Sequence, residues 1–356
     1  MLRNLLVLQI LIAVFIGVTA EDSIIDEITE KPPMQPEVNP TEGQVNPLED
    51  GIRSYELRAG AAEKSEQQGI LPEEEVEKMY EDVIPPLGAI IELLKEPTNV
   101  YKFIEAKGIE RVILPHLHVF NTDLRMQLLS LTMLLFNTAP TTTTVMAPVG
   151  LLDKLLDIFE EDDNLAIKAR VVDILYVWLP DNPKIQARVM KLKGLEPFYD
   201  QVHKLDAGVI HTLLKLFNKI LKEHLKARNE YQQKTKSDLV NLNMYKKIGL
   251  IERVSSKNVC HGLLNIFQAI WAYSYNNMEF MMPVFEILKN VEPYCLGYYR
   301  GKAKALELFQ GLLQHMKQIG DDTKNIYENL GLNTTELAVV LNSYVDKLTI
   351  KLKDEF

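Results

Sequence analysis

Cysteine is nearly missing. Cys260 and Cys295 are the only two in 356 residues. The chain is therefore not a small scaffold stapled by many disulfides. Two readings of the pair stay open: a bridge in an oxidising compartment, or two buried thiols acting as small apolar residues. A basic excess is missing too. The 39 Lys and Arg are outnumbered by 49 Asp and Glu, for a net charge of -10. Residues 21–70 hold twelve of those acids against four bases, which leaves the remainder near neutrality. A nucleic-acid binder needs a concentrated basic face, and the composition argues against one. The usual chemical motifs are also lacking: no phosphate loop ending in Gly-Lys-Ser/Thr, no Gly-x-Ser-x-Gly, no His-Glu-x-x-His. His116 and His118 come nearest to a metal pair. Two residues apart on a helix is about 200°, so they cannot share a ligand face. We expect no catalytic residue, no metal and no cofactor, and so no enzyme.

Long apolar runs are confined to one place. Leu5 to Val18 follows Arg3 and ends at the small residues Val18-Thr19-Ala20. Fourteen residues rise about 21 Å, short of the roughly 30 Å hydrocarbon core. Residues 1–20 therefore read as a cleaved secretory signal. At the other end, Lys353-Asp354-Glu355-Phe356 resembles the Lys-Asp-Glu-Leu retrieval tail, with Phe for the final Leu. Asn333-Thr334-Thr335 is a glycosylation sequon on Asn333. The three together address the protein to the lumen of the endoplasmic reticulum, with no membrane insertion after cleavage.

What the chain does have is a period. Gly108, Gly150 and Gly194 recur at steps of 42 and 44 residues, and Gly249 opens a divergent fourth copy. Ile109, Leu151 and Leu195 follow the first three glycines. Polar clusters at Asn121-Thr122-Asp123, Asp162-Asp163-Asn164 and Asp206 then precede long apolar-periodic segments and should cap them. Helical units repeating every 40–47 residues indicate armadillo or HEAT repeats. Such units bury their apolar faces only by stacking on one another. The expected fold is all-α: an armadillo-like solenoid of about four repeats with helical N- and C-terminal caps. Residues 21–71, with five prolines among acids, should be largely disordered. The repeat domain should cover 72–320, starting at Pro72 with Glu73-Glu74-Glu75 in the first turn. Residues 321–356 should form C-terminal helices and the tail. Val259–Tyr273 is expected to be the fourth long helix, and Met278–Asn290 and Pro293–Gln318 two separate ones.

The third helix of each repeat lines the inner surface in armadillo proteins. Its polar positions here are Gln127 and Ser130, then Arg170, Asp173 and Tyr176, then His211, Lys215, Asn218 and Lys222. We take this row as the candidate partner-binding surface. Such a stripe also fits the solvated face of any amphipathic helix.

The repeats, the two addresses and Met244-Tyr245-Lys246-Lys247-Ile248-Gly249-Leu250-Ile251 followed by Cys260 resemble the armadillo-like SIL family of nucleotide exchange factors. Pro47-Leu48-Glu49-Asp50-Gly51-Ile52-Arg53 is weakly similar to the N-terminal region of that family. The resemblance implies a monomer that clasps the ATPase domain of the lumenal chaperone BiP. It would favour the opened form that releases ADP, without making or breaking a bond. The alternative is a lumenal armadillo-type adaptor that binds partners and leaves nucleotide exchange alone.

Overall fold

The computed structural model describes residues 46–229, 235–274 and 277–353. Contacts divide the chain into Met1–Asn46 and Pro47–Phe356, and the second unit holds the fold. The expected signal at 1–20 and Asp354, Glu355 and Phe356 of the expected tail lie outside the described residues, as does the acidic segment before Asn46.

Among the described residues every regular element is helical, so the all-α class holds. Three N-terminal helices are α1 (Pro47–Gln68), α2 (Glu73–Glu81) and α3 (Ile84–Leu93). Then come α4 (Pro97–Glu105), a π-helical turn (Ile109–Ile113) running into a 3-10 turn (Leu114–His116), and α5 (Thr122–Thr138). The chain continues through α6 (Pro140–Met146), α7 (Val149–Glu161) and α8 (Leu165–Trp178). Next are α9 (Pro183–Leu192), α10 (Glu196–Asp200) and α11 (Ala207–Arg228). Two shorter helices, α12 (Lys236–Ile248) and α13 (Leu250–Val254), precede α14 (Lys257–Ser274) and α15 (Met278–Tyr299). The last are α16 (Ala303–Gln318), α17 (Asp321–Asn329) and α18 (Thr334–Lys353).

The long helices start where the sequence predicts. Asn121 accepts from the backbone of Leu124, Asn164 from Ala166 and Ile167, and Asp206 from Val209. Each cap satisfies amides that have no partner inside the helix, a contribution of about 1 kcal/mol. Their apolar faces then force them together. In sequence order α3, α5, α8, α11, α15 and α18 each pack on the next. Behind this row α1 meets the π turn, the 3-10 turn meets α7, and α10 meets α14, which meets α16. One continuous cluster of buried residues runs from Leu48 to Leu348.

Four expectations need correction. Helical order begins at Pro47, not Pro72. The α1 stripe Leu48, Ile52, Tyr55, Ala59 and Ala62 is wholly buried. Arg111 in the π turn clasps it, with Nε donating to Glu56 at 2.7 Å and Nη1 to Glu49 at 3.0 Å. Second, residues 321–353 are not a separate appendage, because α18 packs on both α15 and α16. Third, α14 does not continue the front row. That place belongs to α15, which runs through Pro283 and Pro293 to Tyr299, so the break expected before Pro293 falls instead between Tyr299 and Ala303. Fourth, the repeated glycines, expected after helices in the left-handed conformation, do not share that one cause. Gly194 (φ 70°) and Gly249 (φ 71°) are left-handed, where side chains are disfavoured. Gly108 is right-handed, φ -60°; there a Cβ would sit 2.3 Å from the Phe103 ring. The two cysteines form a disulfide, Cys260–Cys295, joining α14 to α15.

Candidate functional site

The front row exposes one ridge per long helix, and the candidate residues divide between ridge and interior. Gln127 is exposed on α5, with Ser130 half-buried a turn away. On α8, Arg170 and Asp173 are half-buried and pair at 3.9 Å. Burial raises the Asp173 carboxyl above the usual carboxylate range, and Arg170 partly offsets this. Tyr176 is half-buried, with Lys219 Nζ of α11 5.8 Å above its ring centre. That cation–π contact links α8 to α11. Lys215 is exposed.

His211 and Asn218 are not on the open surface. Both are buried beneath α15. Asn218 donates to the Glu286 carboxylate and accepts from Asn290 Nδ2 at 3.2 Å. His211 Nε2 lies 2.9 Å from the Glu279 carbonyl, and its ring packs on Phe280. Pro283 explains that bond. A proline lacks the N–H that would bond the carbonyl four residues earlier, here Glu279. His211 Nε2–H supplies the missing donor. Burial lowers the affinity of His211 for a second proton, so the imidazole stays neutral. The two residues are helix-packing groups, and a partner cannot reach them without parting α11 from α15.

Sequence reasoning missed what lies beside them. On α11, Lys215, Lys219, Lys222 and Lys226 are all exposed. Their spacing of 4, 3 and 4 confines them to about 60° of the helix. Among the described residues, Lys222 alone of the four makes an ion pair, at 2.9 Å to Glu286. The signal was legible as four lysines at helical spacing, but Lys219 and Lys226 fell outside the expected line. Similar rungs continue along the row. Lys289 of α15 bonds Glu336 of α18 at 2.5 Å, and Ser343 of α18 bonds Glu292 of α15 at 2.6 Å.

The remaining sequence-predicted sites lie elsewhere. His116 is buried, with Nδ1 3.1 Å from the Tyr55 hydroxyl, whereas His118 is exposed. Among the described residues there is no cluster of three metal-ligating side chains. Asn333 is exposed and heads α18. Its side-chain oxygen accepts from Glu336 N at 2.9 Å, which leaves the carboxamide nitrogen, the atom a glycan uses, outside that bond. Lys353 ends α18. No described helix is long and apolar enough to cross a membrane. No protein-family model matches the chain, and no curated protein matches it either.

The arrangement suits binding by a stiff polar surface. Capped helices packed on neighbours lose little conformational freedom when a partner docks, so contact energy is not spent on ordering.

Proposed function

We propose that this chain is an armadillo-like solenoid that acts as a nucleotide exchange factor for a BiP-type chaperone in the endoplasmic reticulum lumen. It would bind the chaperone's ATPase domain as a monomer and promote ADP release, supporting folding and translocation of other proteins. The observation that carries the reading is the front row. The capped long helices α5, α8 and α11 pack on one another in sequence order and offer polar groups on one side, which supports the reading. The secretory-type N terminus, the Lys-Asp-Glu-Phe tail and the exposed sequon at Asn333 support the lumenal address.

Exchange needs no reacting group on this chain. It needs tighter binding to the open, nucleotide-free ATPase domain than to the closed ADP form. Weakening ADP binding a hundredfold takes about 2.7 kcal/mol of that difference. A few polar contacts on a rigid surface supply as much. Gln127, Ser130, Arg170, Asp173 and Lys215 are the accessible groups proposed for the contact. Stopped-flow release of a fluorescent ADP from the purified chaperone is the test, with mature protein in excess. We expect acceleration of tenfold or more. No acceleration, with a complex that survives ATP, would replace this reading by the adaptor.

A further inference from the structure

We infer that the exposed lysine ridge of α11 is an electrostatic docking strip for an acidic face of a partner protein. The inference rests on the exchange-factor reading for the identity of that partner and adds the chemistry by which it is recognised.

The ridge is an anomaly of charge. The chain as a whole carries -10, yet α11 projects Lys215, Lys219, Lys222 and Lys226 from one arc. Four ammonium groups on one face repel one another, so a partly neutralised pattern would be the more stable choice for a merely solvated helix. Neutralisation here is slight. Glu286 takes Lys222, and Lys219 sits over the uncharged Tyr176 ring. Glu223, the acid next along the helix, is half-buried, accepts from the Asp181 amide and the Gln186 side chain, and feels the Lys219 charge through space without pairing with it. Lys215 and Lys226 have no ion pair among the described residues. The flanks are held: α8 braces one side through Tyr176, and α15 braces the other through His211, Asn218 and Lys222. The strip is therefore a fixed line of positive charge. From Lys215 to Lys226 it spans about 16 Å at 1.5 Å per residue. Its complement is a row of carboxylates of similar length on a folded surface. Attraction of this kind steers encounter and orients the partner, and it weakens as salt rises.

The test uses the full mature chain and the purified ATPase domain of a BiP-type chaperone, with affinity and association rate measured by biolayer interferometry from 50 to 300 mM KCl. Lys215→Glu, Lys219→Glu and Lys226→Glu are combined in one variant. A control combines Lys78→Glu, Lys102→Glu and Lys257→Glu, exposed lysines on α2, α4 and α14 that change net charge equally. We expect the ridge variant to bind at least 30-fold more weakly at 50 mM KCl, chiefly through association rate. The control should lose less than threefold, and both should keep the wild-type circular dichroism. Equal losses in ridge and control variants, or none in the ridge variant while wild type still binds, would overturn the strip and leave the exchange reading standing. No binding by wild type would overturn both.

Discussion

His224 carries the clearest titration in the molecule. It is wholly buried, and its Nε2 lies 3.0 Å from Gln186 Oε1. Gln186 uses its amide nitrogen on the Leu179 carbonyl and on Glu223, so its oxygen is the acceptor and the imidazole donates. Burial, and then the nearby Arg228 charge, push its pKa down from 6.5 to about 4. The unfolded chain therefore binds the proton more tightly than the folded one. Stability is complete above the unfolded value near 6.5 and declines as pH falls towards 4. The difference amounts to roughly 3 kcal/mol. Urea titrations at pH 7, 6 and 5 should show this decline. His224→Gln, which keeps a donor for Gln186, should flatten it without abolishing it, because His116 and His211 are shifted the same way by burial. An equal slope in wild type and variant would remove His224 from the account. At this scale the caps were legible, since a polar residue just ahead of an apolar run acts on amides within three positions. His211 and Asn218 were not, because their partners lie 68 and 72 residues away.

Among elements, α1 shows where hydrophobic patterning fails. Within the segment expected to be disordered, Ile52 and Tyr55 are buried and Leu57 is exposed, while the small Ala59 and Ala62 carry the face onward. Alanine lets the backbone approach closely yet adds little to any apolar tally. Its acidic surroundings, so like a disordered linker, are spent on Arg111: Glu49 and Glu56 hold it from two turns of the helix. A chain starting at residue 47 should therefore melt close to the full mature protein. One starting at residue 70 should lose 10 °C or more or fail to fold, because Val76, Leu87 and Ile90 lie beside the stripe that α1 covers. Thermal melts of the two truncations decide it, and equal melting temperatures would return α1 to the role of a linker. Pro293 of α15 misled in the opposite direction, while Pro283 already lay inside an expected helix. A proline removes one backbone bond, and a long helix tolerates the loss when the neighbouring helix furnishes a donor.

Across the whole molecule, the glycine period led to the all-α class and to the starts of three long helices, but it was a poor guide to which helices pack together. The three-helix spacing gave α5, α8 and α11 correctly and then assigned α14 to the wrong row, because three helices, α12, α13 and α14, stand between α11 and α15 where two separate α8 from α11. Covalent chemistry ties the two rows together at that point. The Cys260–Cys295 bridge closes a loop with a sequence separation of 35 residues. Loop-closure entropy assigns such a bridge about 4 kcal/mol. Denaturant unfolding of the Cys260→Ala, Cys295→Ala protein should fall by 2–4 kcal/mol, and dithiothreitol should lower wild type by a similar amount while leaving the variant unmoved. A variant as stable as wild type would reduce the bridge to a passive contact.

The bond between His211 and the Glu279 carbonyl has a meaning beyond packing. It binds a histidine on one helix to the chemistry of a proline on another, Pro283, 72 positions further along. The proline is a fault without the histidine, because it leaves a carbonyl bare. The histidine cannot be exchanged first without cost, whereas the proline can, because a carbonyl has two lone pairs and accepts from both a restored amide and the imidazole. A descendant that replaces Pro283 with an ordinary helix former frees position 211 to drift to leucine. One that keeps the proline must keep a donor there.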